Sequence, residues 1–134
     1  MNRNLNGGYN TVVGRKAMEV SFGSNNVAVG YEAMVGNWDN RSNGNSTFQG
    51  NVSLGYRSGK VNETGDDNVF IGYQAGDAVV GGDDNIIIGK DAAGSGSNIN
   101  FEIVIGSGAT GNGTNTVTLG NSSITAIHAQ VQSI

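Results

Sequence analysis

Two aspartate pairs, Asp66-Asp67 and Asp83-Asp84, stand seventeen residues apart, each preceded by glycine and followed by asparagine. Carboxylates at a fixed spacing can hold calcium between stacked coils. The tandem nonapeptide spacing of such coils is missing here, and the other units lack the paired Asp. The pairs therefore read as turn residues with a solvated acidic edge. The glycine-rich stretches would cradle a phosphate if each opened a helix, but they lead into more strand-like sequence. His128 is the sole histidine, and cysteine is absent. A nucleophilic triad or a zinc site needs more partners than this chain names. No catalytic, cofactor-binding or metal-binding residue is assigned, and a non-enzymatic role is expected. What remains is aromatic. Tyr31, Tyr56 and Tyr73 each follow a glycine in successive units, and Trp38 lies in an irregular stretch. These four are the candidate receptor contacts, with a surface glycan as the expected ligand. Packing is the competing reading for each of them.

The elements that would position such residues come from a repeat. An apolar triplet closed by glycine recurs at Gly14, Gly30, Gly55, Gly72, Gly89, Gly106 and Gly120, at spacings of 16, 25, 17, 17, 17 and 14 residues. Three residues before each glycine stands Thr11, Val27, Val52, Val69, Ile86, Ile103 or Val117; one before stands Val13, Val29, Leu54, Ile71, Ile88, Ile105 or Leu119. The residue between them varies: Val12, Ala28, Ser53, Phe70, Ile87, Val104, Thr118. This alternation predicts short strands with one strictly aliphatic face and one permissive face. Three residues after each glycine comes Ala17, Ala33, Ser58, Ala75, Ala92, Ala109 or Ser123, where only a small side chain fits. Gly- and Asn-rich runs supply the corners. One strand, one small-residue segment and two corners per unit predict a coil of a parallel β-solenoid, an all-β fold. Asn10, Asn26, Asn51, Asn68 and Asn85, each four residues before a glycine, predict a side-chain ladder that fades at Glu102 and Thr116.

Composition agrees with a repeat. The chain has 134 residues with 23 Gly, no Pro, 13% charged residues and a net charge of −4. So few large apolar side chains can build only a thin core, which self-association would thicken. Disorder would need higher net charge and fewer β-branched residues. The mild acidity argues against a nucleic-acid partner, and no apolar run approaches membrane-spanning length. The repeat breaks twice. Residues 36–48 form an insertion carrying Trp38 and Phe48, and after Gly120 an Ile127, Ala129, Val131 alternation predicts an extended strand. The expected organisation is a solenoid over 1–120 with a C-terminal β segment over 121–134.

Asn-Asn-Val-Ala-Val-Gly-Tyr-Glu-Ala-Met at 25–34, with the units at 51–59, 67–76 and 84–94, resembles the head repeats of YadA-type trimeric autotransporter adhesins. The stretch from Asn115 to Ile134 is similar to phage tail fibres and tailspikes just upstream of an endosialidase-type intramolecular chaperone. The resemblance implies a left-handed β-roll wound into an intertwined homotrimer, and a chaperone domain encoded downstream. It implies a structural, adhesive segment of a phage appendage used in host attachment, located in the virion. The alternative is the head fragment of a bacterial surface adhesin binding host glycan or matrix. Phe70, Ile87 and Val104 on the permissive face, with Ile127, His128 and Val131 in the tail, are the expected trimer-packing residues. No cofactor is implied.

Overall fold

A computed structural model describes residues 3–4, 7–36 and 46–128. Its strands are β1 (Arg3–Asn4), β2 (Thr11–Val13), β3 (Val20–Ser21), β4 (Val27–Val29), β5 (Val52–Leu54), β6 (Val69–Ile71), β7 (Ile86–Ile88), β8 (Ile103–Ile105) and β9 (Val117–Leu119). Seven of them pair in parallel in the order β2-β4-β5-β6-β7-β8-β9, giving about six turns of a β-solenoid. Every expected triplet is a strand, and the register is that of the repeat: Phe70 sits between Ser53 and Ile87, and Ile87 between Phe70 and Val104. Parallel bridges also link Ser21 to Ser46, Ser24 to Gln49 and Ala93 to Thr110, so the coils stack on more than one side. The described residues contain no helix.

Sharp corners hold the coil closed. The second residue after the first six landmark glycines has a left-handed backbone even where it is not glycine: Lys16, Glu32, Arg57, Gln74 and Asp91 lie at φ of 62°, 53°, 55°, 53° and 53°. Such a residue costs about 1–2 kcal/mol. A ladder of N–H donors offsets it: Glu32 donates to the Arg15 carbonyl, Arg57 to Tyr31, Gln74 to Tyr56 and Asp91 to Tyr73. The landmark glycine meets a stricter requirement. At Gly72, φ is +133° and a Cβ would lie 2.5 Å from the Gly89 carbonyl oxygen, so adjacent coils could not stack at strand spacing.

The asparagine ladder runs through the interior of one corner. Asn26, Asn51, Asn68 and Asn85 are fully buried. Each Oδ1 accepts the next coil's backbone N–H: Asn51 to Asn26 at 2.9 Å, Asn68 to Asn51 at 2.8 Å, Asn85 to Asn68 at 2.9 Å. Glu102 ends the series. Its N–H still donates to Asn85 Oδ1 at 2.9 Å, but its own carboxylate turns to the N–H groups of Ser95 and Gly113. No buried side-chain nitrogen or oxygen among the described residues is left without a partner.

The strand faces correct one expectation. The middle residues point inward: Ala28, Ser53, Phe70, Ile87 and Val104 are all fully buried within the single chain. Phe70, Ile87 and Val104 share one core cluster with Ala75, Val79, Ala92, Ile99 and Ala109. They therefore fill the coil, and covering them requires no second copy. A coil this narrow has room for one inward side chain per strand, so the two flanking residues must point out. Those flanking residues are the strict aliphatics, and they form the open face. Val13 is 57% exposed, Ile105 41% and Val117 63%, while Val27, Val29, Val69, Ile71, Ile86 and Ile88 are half-buried.

The core is filled coil by coil. Phe70 lies between Gly59 and Gly76, where added Cβ atoms would fall 2.5 Å and 2.2 Å from its ring. Coils with a smaller middle residue place Met18 and Met34 at the position that Gly59 and Gly76 occupy, and these pack with Ala28 and Phe48. Between the two clusters lies a polar layer. Ser53 Oγ donates to the Ser58 carbonyl at 2.7 Å and bonds the Ser58 hydroxyl at 2.5 Å, so neither buried hydroxyl is stranded.

Of the insertion, Gly36 and residues 46–48 are described, and Phe48 is buried in the cluster with Met18, Ala28 and Met34. Residues 37–45, Trp38 among them, lie outside the described residues. The expected terminal strand is not seen over 121–128, which form a turn and irregular exposed backbone. Among the described residues β9 is the last strand of the stack, so none of them offers this segment a further ladder. Ile127 and His128 are exposed there, and Val131 lies outside the described residues.

Candidate functional site

The coil register brings the three tyrosines together. Tyr31, Tyr56 and Tyr73 each follow a landmark glycine, so parallel stacking places them in one column along the axis. Tyr31 and Tyr56 stack at 5.4 Å between centroids with planes 12° apart, and Tyr56 and Tyr73 at 4.9 Å and 9°. The position below Tyr31 in this column is Arg15, whose guanidinium carbon lies 5.8 Å from the Tyr31 centroid. Both ring faces of Tyr56 are taken up inside the column. Edges and hydroxyls are what the column presents outward, with Tyr73 46% exposed at its end.

The next column carries the charge. Lys16, Glu32 and Arg57 occupy equivalent corners of successive coils, so a carboxylate is held between cations from the coil on either side. Arg57 Nε donates to Glu32 Oε2 at 2.8 Å; Lys16 Nζ lies 3.7 Å from Oε1 and Lys60 Nζ 3.8 Å from Oε2. Burial alone would raise the Glu32 pKa. Side-chain hydrogen bonds from Tyr31 and Arg57, with the charges of Arg57 and Lys60, outweigh that and hold it below its ordinary 4.5. Its hydrogen bond to Glu32 raises Arg57 in turn. Arg57 also ties the columns together, with its guanidinium carbon 5.0 Å from the Tyr56 centroid.

Beside this cluster opens a cleft of about 340 Å³, lined by Lys16, Glu19, Glu32, Val35, Gly36, Arg57, Lys60 and Val61. The arrangement offers ammonium and guanidinium donors beside phenol hydroxyls. The described residues that line it include no Ser, Thr, Cys or His. The charged cluster was not among the residues expected from sequence. The signal was available, because Lys16, Glu32 and Arg57 hold the same place in consecutive units.

The aspartate pairs act in the turns. Asp66 Oδ1 accepts the Gln49 N–H at 2.7 Å and Asp83 Oδ1 the Asp66 N–H at 2.9 Å. Among the described residues, no group of three or more His, Cys, Asp or Glu side chains could hold a metal ion. No helix among them is long and apolar enough to cross a membrane.

Fold and site together define a parallel β-solenoid with one bare aliphatic face and one cationic cleft. No protein-family model, curated protein or solved structure matches the chain.

Proposed function

We propose that this chain is a rigid rod segment of an intertwined homotrimer, part of a phage tail fibre or tailspike-like appendage that attaches the virion to its host. The observation that carries the self-association is the open aliphatic face of the sheet. Parallel sheets are ordinarily covered on both faces. Here the inner face is covered by the coil itself, while the outer face shows Val, Ile and Leu from β4 to β9. Seven strands at about 4.8 Å spacing, three residues wide, make a stripe of roughly 30 by 10 Å, about 300 Å². That lies at the lower end of the range for the largest apolar patch of an ordinary monomer, and here it runs continuously along the axis. Three such stripes meeting about a threefold axis would bury one another and leave no edge facing water. The tail-fibre assignment and a downstream chaperone rest on the resemblance of the repeats and of the 115–134 segment. The role is structural and adhesive.

Sedimentation equilibrium tests the association. The expected mass is three times the 13.7 kDa chain. Ile86→Asp with Ile88→Asp, which puts two carboxylates on the open face, should abolish it. A compact, folded wild-type monomer at micromolar concentration would refute the trimer, as would an intact trimer carrying both aspartates.

A further inference from the structure

We propose that the cleft between Lys16, Arg57 and Lys60 binds a carboxylate-bearing saccharide, with the tyrosine column supplying hydroxyls beside it. This rests on the attachment reading above, and it names the class of surface glycan involved. The chain carries seven Lys and Arg against eleven Asp and Glu. Yet Arg15, Lys16, Arg57 and Lys60, four of those seven, gather around the buried carboxylate of Glu32 and the adjoining tyrosines, with Glu19 as the other carboxylate lining the cleft. One carboxylate needs one such partner, and Arg57 provides it at 2.8 Å. Lys16 and Lys60 stand at 3.7 and 3.8 Å, beyond direct hydrogen-bond length, with side chains 39% and 34% exposed. Their ammonium donors are free to take a second acceptor, and the cleft between them is open to one.

The charge pattern along the rod selects the ligand. The cationic zone covers only the first coils. Further along, Gln74 follows Arg57 in the same column, then Asp91, with Asp77 beside Gln74. A polyphosphate or nucleic acid would carry its next charges into that acidic surface and be repelled. A chain bearing an occasional carboxylate on a neutral polyol body would not. Tyr31, Tyr56 and Tyr73 continue past the cationic zone, and their edges and hydroxyls suit such a body. The rigid coils hold all these groups in place before binding, so little ordering is needed at contact.

The test is calorimetric titration of the assembled wild-type protein with 3′-sialyllactose, a neutral saccharide body bearing one carboxylate, with lactose as the neutral probe. The wild type should bind the first and not the second. The Lys16→Gln/Lys60→Gln double variant should lose about tenfold or more in affinity, as expected for two charge-assisted contacts. Lys90→Gln, whose partner is Asp91 at 3.3 Å outside the cleft, should bind as the wild type does. Absence of 3′-sialyllactose binding would overturn the proposal, as would equal affinity for lactose. So would a loss in the double variant no greater than in Lys90→Gln. Lys16, Lys60 and Lys90 all lie off the strands that carry the aliphatic stripe, so sedimentation of the same samples separates the two readings. A trimer that does not bind refutes the saccharide site alone, while binding by a monomer refutes the assembly alone.

Discussion

Phe70 and Gly76 should be energetically coupled, and the coupling tests how the coil interior is filled. Phe70 is fully buried, and a Cβ on Gly76 would lie 2.2 Å from its Cδ1 and 2.5 Å from its Cε1. Gly76 also has φ of +62°. In the wild-type background Gly76→Ala therefore bears two costs: about 1–2 kcal/mol for a left-handed alanine and about 1–3 kcal/mol for overpacking against the ring. Phe70→Ala alone should cost about 3–5 kcal/mol, as cavity-forming aromatic truncations do. Once the ring is gone, the Gly76→Ala methyl occupies vacated space and only the backbone cost remains. The substitution should then cost about 1–2 kcal/mol in the Phe70→Ala background, giving a favourable coupling of about 1–3 kcal/mol. The assay is urea unfolding of wild type, both single variants and the double variant at one fixed protein concentration, since a trimer's stability depends on it. Additivity within about 0.5 kcal/mol would refute the inference that Gly76 is small because Phe70 is large.

Two further outcomes are expected. Asn68→Ala removes the acceptor for the Asn85 N–H and the donor to the Gly82 carbonyl, both buried, and should cost about 2–4 kcal/mol in the same unfolding assay; a loss under about 0.5 kcal/mol would contradict the ladder's role. Glu32, held below its ordinary 4.5, contributes stability that is present above that value and lost as pH falls through the lower folded-state value, so the stability difference between wild type and Glu32→Gln should be constant near neutrality and shrink below about pH 4.5; a difference that persists unchanged to pH 3 would refute the charge cluster.

The strands were legible because their signal is local. All seven triplets and the small residue three places on could be aligned by eye, and coils stacked in register repeat whatever the alignment repeats. The corners were half legible. Glycine and asparagine marked some of them, but Lys16, Glu32 and Arg57 sit in the left-handed region with no such mark, held there by N–H bonds from coil to coil. The direction of the faces was not legible. Alternation says that two sets of side chains oppose each other, and it is silent on which set the chain curls around. Short β3 escaped notice because Val20–Ser21 pairs with Arg3–Asn4, outside the triplet pattern. The tyrosine column was legible from its place after each glycine, whereas the charged cluster beside it was not, since a charge at a corner reads as solvated until a neighbouring coil places a carboxylate beside it.

The contrast between variable and uniform columns is itself an argument about partners. Inside the coil the middle residue ranges from Ala28 to Phe70, and each choice is compensated within the chain. Met34 accompanies Ala28, Ser58 bonds Ser53, and Gly59 and Gly76 make room for Phe70. A closed interior tolerates such exchange because volume need only balance locally. The outward columns do not vary in this way. From β4 to β9 every flanking position is Val, Ile or Leu, although the described residues leave each of them half-buried or exposed. A face turned to water would gain from Thr, Lys or Asp at any of these places. Uniform width along the axis is instead what a repeating surface needs if it must meet another surface rising by the same step per coil. A second and third copy of this chain supply that step without any further specification, and this is why the open face supports a homotrimer more strongly than the residues buried inside it.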